Sequence, residues 1–316
     1  MIVTVTMNPS LDRTIVLEAP LRPGEVQAAA STREDAGGKG VNVARVLTAA
    51  GADTAAVLPL ADDDPYAAAL AATHLNIRPV RVAGHCRSNV TITDPAGTTT
   101  KLNLPGATPS TAELAALQTA VVAAAEGADW VVLAGSLPPG VPDGFYATLI
   151  HAVRHRWGHA APRIAVDASG PALQCVVAGA HPDLIKPNEH ELVELTGVAL
   201  DDAATPSLVT ASARAARTLV PERIGAALVT LGSSGAVLVD SDQTLAAVPP
   251  VIRVRSTVGA GDSSLAGYLL ADSAGGSAAD RLTSAIRHGA AAASLPATGV
   301  PKPGDLSRAD IAVTRI

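Results

Sequence analysis

Short runs of apolar, mostly β-branched residues alternate with longer Ala/Leu-rich segments along most of this 316-residue chain. The short runs predict buried strands, and the longer segments predict helices. This alternation is typical of βαβ units, and it predicts an α/β fold in which helices cover both faces of a mainly parallel sheet. The predicted strands are 2–7, 54–60, 130–134, 164–167 and 226–231, and the predicted helices are 41–50, 111–126, 207–219 and 263–271.

Two segments, 13–32 and 88–104, depart from this pattern. Their polar and apolar residues alternate without helical spacing, as in NVTITD and TTTKLNL, which flank the turn DPAG. Such alternation predicts antiparallel strands outside the main sheet. Ligands of parallel α/β sheets bind at the carboxyl ends of the strands, so we expect the two insertions to form a small lid there. Without a long linker or an internal repeat, residues 1–316 are expected to form one domain with this lid.

The composition favours a small-molecule partner. The net charge is −6 and no Lys/Arg run is present, which argues against a nucleic acid or an anionic membrane surface as the partner. No apolar run approaches the roughly 18 residues of a membrane span. The two cysteines are far apart in sequence and the histidines lack metal-binding spacing, so we expect reduced thiols, no zinc and a cytoplasmic location. Only 2% of residues are aromatic, so helices are expected to pack through small side chains.

The stretch STVGAGDSSLAG combines glycines with a carboxylate just before a predicted helix. Gly259, Ala260 and Gly261 can present backbone N–H groups to phosphate at a helix start. Asp262 follows directly, although a carboxylate is unexpected where anions gather. The G-x-G-x-x-G dinucleotide fingerprint would need glycine where Ser264 stands, so a dehydrogenase is not indicated.

The stretch AGGKGVNVARVL places Gly38 and Lys39 at another predicted helix start. Gly40 follows the lysine, so the segment is not a Walker A loop. The glycines are explained equally well by a tight turn. A lysine among free N–H groups nevertheless suits an anionic ligand, and the Asn42 amide could bond hydroxyl groups.

Four further polar residues stand near predicted strand ends. Asp12 in MNPSLDRT is either an exposed turn residue or an acceptor for sugar hydroxyls. Arg87 in CRSNVTI is either a solvated charge or a bidentate phosphate clamp, with Asn89 beside it. Ser136 ends a buried strand in AGSLPPG.

Two later motifs each have a structural interpretation beside a functional one. In LIKPNEHELVEL, Asn188 and Glu191 have the spacing of a helix cap, which spacing alone favours, although the pair could also hold hydrated Mg²⁺. In VTLGSSGAVLVD, Gly232 and Gly235 predict a hairpin turn that could also cover a nucleotide.

Taken together, the motifs resemble the carbohydrate kinases related to ribokinase, named for the bacterial minor phosphofructokinase (PfkB). The motifs MNPSLD, GGKGVNVAR, RSNV, AGSLPPG, IKPNEHE, VTLGSSG and STVGAGDSSLAG occur in the family's order. The resemblance implies a ribokinase-like three-layer fold, a requirement for ATP and Mg²⁺, a lid over a sugar phosphate, and a homodimer formed through the lid.

The resemblance also implies a role for each matched position. Asp262 would be the general base beside an anion hole, Asn188 and Glu191 would hold Mg²⁺ through water, and the remaining residues would bind the two substrates. The anion hole is Gly259, Ala260 and Gly261; the sugar-phosphate site is Asp12, Gly38, Lys39, Asn42, Arg87, Asn89 and Ser136; the ATP site is Lys186, Asn188, Glu191, Thr230, Gly232 and Gly235.

Local sequence narrows the choice of the sugar phosphate that would accept the phosphoryl group. Lys39 and the opening TVTMNPSLDRT resemble 1-phosphofructokinases and tagatose-6-phosphate kinases, whereas RSNV favours the former and LNLPG resembles fructose-6-phosphate kinases. We therefore expect ATP-dependent phosphorylation of fructose 1-phosphate at its 6-hydroxyl, giving fructose 1,6-bisphosphate. A tagatose-6-phosphate or fructose-6-phosphate kinase, or a non-catalytic sugar-phosphate sensor, is the alternative.

Overall fold

The computed structural model describes residues 1–200 and 207–316. Within these ranges no helix is both long and apolar enough to cross a membrane. In chain order the elements are β1 (Ile2–Thr6), β2 (Ser10–Leu17), β3 (Ala29–Gly37), α1 (Lys39–Ala49), β4 (Thr54–Leu60), α2 (Tyr66–Ala71), β5 (Ile77–Arg81), β6 (Arg87–Thr93), β7 (Thr99–Asn103), α3 (Thr111–Ala124), β8 (Trp130–Ala134), α4 (Phe145–Trp157), β9 (Arg163–Asp167), α5 (Gly170–Gly179), β10 (Leu184–Ile185), α6 (Glu189–Thr196), α7 (Leu208–Arg217), β11 (Ala227–Thr230), β12 (Ala236–Val239), β13 (Thr244–Ala247), α8 (Ala260–Ser273), α9 (Ala278–Ser294) and β14 (Val313–Arg315).

The main sheet is mostly parallel, as predicted. Its strand order is β14-β13-β12-β11-β10-β9-β8-β1-β4-β5. The strands from β5 to β11 pair in parallel, while β12, β13 and β14 add an antiparallel edge. The carboxyl ends of the parallel strands therefore meet at one edge, where ligands of such sheets bind.

Helices cover both faces of this sheet because its strands are apolar on both sides. Successive side chains alternate between the faces: Val131 and Leu133 of β8 pack with α3 to α7, whereas Trp130 and Val132 pack with α1, α8 and α9. The predicted arrangement of a sheet between two helical layers is confirmed.

A second, four-stranded sheet has the order β3-β2-β6-β7. It contains two antiparallel hairpins, as predicted, but β2 and β6 pair in parallel where the hairpins meet. The parallel join follows from the main sheet, since β2 and β6 follow β1 and β5, whose carboxyl ends lie at the same edge. Leu11 and Ala36 at its base pack against Tyr66 and Leu70 of α2 and so attach it to the body.

The helices α8 and α9 approach closely through small residues, in line with the low aromatic content. A Cβ atom at Gly267 of α8 would lie 2.5 Å from the Ser284 carbonyl oxygen and 2.7 Å from His288 Nδ1 of α9. The glycine therefore sets the distance between the two helices, and with it the position of the whole of α8.

We predict that Gly267→Ala destabilises the protein by about 1–3 kcal/mol, because neither the backbone carbonyl nor the buried imidazole can yield easily. Gly179→Ala is the matched control, since Gly179 is also helical and has open space around its Cβ position. Chemical denaturation measures both variants. Equal free energies of unfolding for Gly267→Ala and the wild type would contradict the prediction.

Candidate active site

Two helices begin at the carboxyl edge of the main sheet without a side-chain cap. Gly259 (φ 77°) precedes α8 and Gly38 (φ 113°) precedes α1, and both have positive φ angles that favour glycine. The Ala260 N–H makes a long 3.4 Å bond to the Thr257 carbonyl. The described residues offer no partner to the Gly261 N–H, which is therefore free to bind an anion at the positive end of α8.

Asp262 lies in the first turn of α8 and is 6% exposed. The Asn42 side chain, one turn into α1, donates a 2.8 Å hydrogen bond from Nδ2 to Asp262 Oδ2. Burial, and then repulsion from Asp167, raise the pKa of Asp262 to about 6, against the opposing effects of Lys39, Asn42 and Lys186. A carboxylate that exchanges a proton near neutral pH is suited to general base catalysis.

Asp167, at the carboxyl end of β9, is completely buried and lies between two lysines. Lys39 Nζ donates to its Oδ1 at 2.7 Å, and Lys186 Nζ lies 3.2 Å from its Oδ2. Burial alone would raise the pKa of Asp167, but the two ammonium groups hold it below its usual value. Burial alone would lower the pKa of Lys39, which Asp167 instead raises.

The sequence reasoning missed Asp167, although the signal was present. It ends the predicted strand 164–167, and the carboxyl ends of the strands border the ligand crevice in such sheets.

A second polar group lies at the base of the small sheet. Asp12 Oδ1 accepts hydrogen bonds from Ser10 Oγ at 2.8 Å and from Asn89 Nδ2 at 2.9 Å. Burial raises the pKa of Asp12, partly offset by these bonds and by Arg87. Arg87 Nε and Asn89 Oδ1 are buried without a hydrogen-bond partner among the described residues. Unpaired buried polar atoms are costly, so a ligand that pairs with them would be stabilised.

Ser136 and Asn8 connect the charged group around Asp167 with the polar group around Asp12. Asn8 Nδ2 donates to Ser136 Oγ at 3.1 Å. A Cβ atom at Gly106 would lie 2.7 Å from Asn8 Oδ1 and 3.6 Å from Arg87 Cβ, so these three residues are neighbours. A Cβ atom at Gly135, next to Ser136, would lie 3.8 Å from Lys39 Cβ. Asn8 and Ser10 were not among the predicted site residues, although both lie in the MNPSLDRT motif.

A cleft of about 550 Å³ opens between the β11–β12 hairpin and the start of α8. It is lined by Thr230, Gly232 and Gly235, which the sequence predicts for the nucleotide site, and by Gly261. Gly235 also has a structural reason to be glycine, because a Cβ atom there would collide with the Ala247 carbonyl. The opposite wall was not predicted: it is an apolar segment that includes the fully exposed Val251 and two prolines.

Asn188 and Glu191 form the helix cap that their spacing favours. The Glu191 N–H donates to Asn188 Oδ1, and the Asn188 N–H donates to Glu191 Oε2, both at 2.9 Å. No described residue bonds Glu191 Oε1, and Asn188 lies beside Thr230 of the cleft. No described group of three or more His, Cys, Asp or Glu could hold a metal. The pair thus fits Mg²⁺ bound through water and phosphate oxygens, but not a fully protein-ligated ion.

The comparisons with known proteins agree with this geometry. The model of the pfkB family carbohydrate kinases matches residues 5–303. The chain therefore belongs to this family: it is a sugar-phosphate kinase, with ATP as the phosphoryl donor. This confirms the predicted family and fold.

The similar proteins include both 1-phosphofructokinases and a 6-phosphofructokinase. The chain is 39% identical over 295 residues to the 1-phosphofructokinase of Rhodobacter capsulatus, covering 92% of this chain and 90% of that protein. It is 32% identical over 268 residues to the ATP-dependent 6-phosphofructokinase isozyme 2 of Escherichia coli, covering 83% and 82%. The crystal structure of Escherichia coli phosphofructokinase-2 in complex with potassium superimposes with a TM-score of 0.87 at 30% identity, covering 96% of both chains.

We predict that Asp262→Asn stabilises the fold above pH 6. The ionised carboxylate is disfavoured in the folded protein, so folding loses stability as the pH rises from the ordinary value of 3.8 through about 6. The neutral amide escapes this loss, which amounts to about 3 kcal/mol above pH 7. Urea denaturation between pH 4 and 8 measures the difference, which should be small at pH 4, grow with pH and level off above pH 7. A constant difference would contradict the raised pKa.

Proposed function

We propose that this kinase transfers the γ-phosphoryl group of ATP to the 6-hydroxyl of fructose 1-phosphate, giving fructose 1,6-bisphosphate and ADP. The observation that carries the proposal is the position of Asp262, a buried carboxylate one residue from the free N–H of Gly261. A base and an anion site in the same helical turn suit in-line attack of a hydroxyl on a phosphoryl group. The name of the Rhodobacter capsulatus relative supports this acceptor.

In this mechanism Asp262 accepts the proton of the 6-hydroxyl as its oxygen forms a bond to the γ-phosphorus. The bond from that phosphorus to the β,γ-bridging oxygen breaks, and ADP leaves. The turn formed by Gly259, Ala260 and Gly261, together with the α8 dipole, stabilises the charge on the phosphoryl oxygens. General base catalysis contributes roughly 10²–10⁴ to the rate.

The acceptor binds between the small sheet and the main sheet. Lys39 and Arg87 bind the 1-phosphate, and Asp12 accepts hydrogen bonds from sugar hydroxyls, since a carboxylate repels phosphate. The unpaired Arg87 Nε and Asn89 Oδ1 support this assignment. The remaining acceptor contacts come from Gly38, Asn42 and Ser136.

The nucleotide occupies the cleft of about 550 Å³. Its base packs on the apolar wall, and its phosphates extend toward Lys186 and Gly261. Asn188 and Glu191 would hold Mg²⁺ through water, and the ion would offset phosphate charge there. Thr230, Gly232 and Gly235 line the ribose and phosphates.

The acceptor is tested with purified protein, ATP and Mg²⁺ in a coupled assay of ADP release. Fructose 1-phosphate should give a kcat/KM at least tenfold above those for fructose 6-phosphate and tagatose 6-phosphate. Asp262→Asn is the control and should lower turnover at least a hundredfold while ATP binding stays nearly unchanged. The kcat/KM of the wild type should rise with pH through about 6, as Asp262 loses its proton.

Two other results would replace the proposal. A preference for fructose 6-phosphate would favour the second candidate, which the similarity to the Escherichia coli isozyme 2 supports. Binding of a sugar phosphate without ADP release would indicate a sensor. Near-normal turnover of Asp262→Asn would remove Asp262 as the base.

We also propose that a second copy of the chain covers the outer face of the small sheet. The face opposite Asp12 and Asn89 carries apolar residues in register, with Ile15 beside Ile92 and Val90 beside Leu102. Leu102 is 52% exposed. A similar protein, Escherichia coli phosphofructokinase-2, has a tetrameric inhibited form.

We predict that Leu102→Asp yields a monomer, because a carboxylate cannot be buried against an apolar face without a partner. Lys101→Glu is the matched control, since the neighbouring side chain points to the other face of the same strand. Sedimentation velocity measures both variants and the wild type. A dimeric Leu102→Asp variant, or a monomeric wild type, would contradict the proposal.

A further inference from the structure

The carboxylate of Asp167 contacts two lysines that come from opposite sides of the site. Lys39 is the first residue of α1, on the acceptor side. Lys186 follows β10, on the nucleotide side, and its Nζ lies 3.1 Å from the position that a Cβ atom of Gly261 would occupy. Asp167 therefore joins the two substrate-binding segments beneath the point where a phosphoryl group would cross.

We propose that Asp167 is a positioning residue, which holds the ammonium group of Lys39 beside the acceptor phosphate and that of Lys186 beside the transferred phosphoryl group, without touching the reacting atoms. The proposal rests on the proposed function and adds a residue to its mechanism. Asp167 is completely buried; Lys39 donates a hydrogen bond to its Oδ1, while Oδ2 has no hydrogen-bond partner among the described residues and faces the Lys186 ammonium group at 3.2 Å.

The partners of the two aspartates support this division of roles. Asp262 accepts its hydrogen bond from the neutral amide of Asn42, and no described lysine or arginine forms an ion pair with it. Both nearby lysines are instead within ion-pair distance of Asp167. An ion pair with lysine would lower the proton affinity of Asp262, so Asp167 keeps the base free by binding the lysines.

A merely structural ion pair would not need this arrangement. Burying a carboxylate costs several kcal/mol, and apolar replacements of buried ion pairs are often as stable. The lysines lie where phosphate oxygens arrive, and an ammonium group with one N–H bonded to Asp167 keeps two for phosphate. The cluster is thus preorganised for charge that develops during transfer.

Asp167→Asn tests the role. The lysines lose their carboxylate and move toward Asp262, so turnover should fall at least tenfold. The groups facing Asp262 are Asp167, Lys39, Lys186 and Asn42. The variant removes the repulsive charge of Asp167 and lets the two ammonium groups approach Asp262. Both changes should lower the pKa of Asp262 and so shift the acid limb of the kcat/KM profile to lower pH. Carboxyl ¹³C NMR of Asp262 measures the same shift without turnover.

Asp272→Asn is the matched control. Asp272 is also a buried carboxylate held by two cations, Arg163 and Arg281, but it lies in the last turn of α8, away from the site. The Asp272→Asn variant should lose stability while keeping the turnover and the pH profile of the wild type. An Asp167→Asn variant that behaves like Asp272→Asn would overturn the proposal.

Two further comparisons keep the outcome clear. If Asp167→Asn does not fold, the double variant Asp167→Asn/Lys39→Met is compared with the single variant Lys39→Met. The double variant should have the lower turnover, because Lys186 loses its position. Equal turnover of the two variants would overturn the proposal. A wild-type protein that releases no ADP with any sugar phosphate would overturn the proposed function and this role together. An active wild type with an unchanged Asp167→Asn variant would overturn only the role of Asp167.

Discussion

The site depends on a balance of buried charges around Asp167. Two ammonium groups and two carboxylates lie close together, and all but the partly exposed Lys39 are buried, so each buried charge must be compensated by its neighbours. Asp167 binds Lys39 and Lys186, while Asp262 has only the Asn42 amide. The two aspartates consequently differ in pKa direction, one lowered and one raised, although they have the same side chain and similar burial. Environments that separate the pKa values of neighbouring acids are how a protein assigns acid and base roles.

Close backbone packing makes this balance geometrically possible. A Cβ atom at Gly40 would lie 2.7 Å from the Val5 carbonyl oxygen, so the start of α1 lies directly on β1. The middle of α8 is fixed in a similar way, by Gly267 against α9. Larger residues at these contacts would move the helix N-termini apart, and with them Asn42 and Asp262. Small residues at these helix contacts, in line with the low aromatic content, therefore keep Asn42 and Asp262 in place.

Much of this could be predicted from local patterns. The alternation of strands and helices predicted the layers, and the motif glycines marked the two helix starts. The pairing of β2 with β6 could not be predicted, since it depends on where β1 and β5 lie in the main sheet. The roles of single residues were also hidden: Asn42 was expected to meet sugar hydroxyls, and its bond to Asp262 was not foreseen, while Asp167 was noticed only as a strand end. Contacts such as that of Asn42 with Asp262, 220 positions apart, follow from topology and not from spacing.

The bond between Lys39 and Asp167 also constrains how an acceptor can bind. An ammonium group has three N–H donors, and one is committed to Asp167 Oδ1 at 2.7 Å. In the proposed mechanism Lys39 therefore keeps its position, and the sugar phosphate must bind where the Lys39 ammonium group is held. Under the proposed function, Arg87 and Asp12 at the base of the small sheet would do so, the first by charge and the second by orienting hydroxyls. In the proposed mechanism, selection among hexose phosphates would then rest on the distance between Lys39, held by Asp167, and Arg87 of the small sheet.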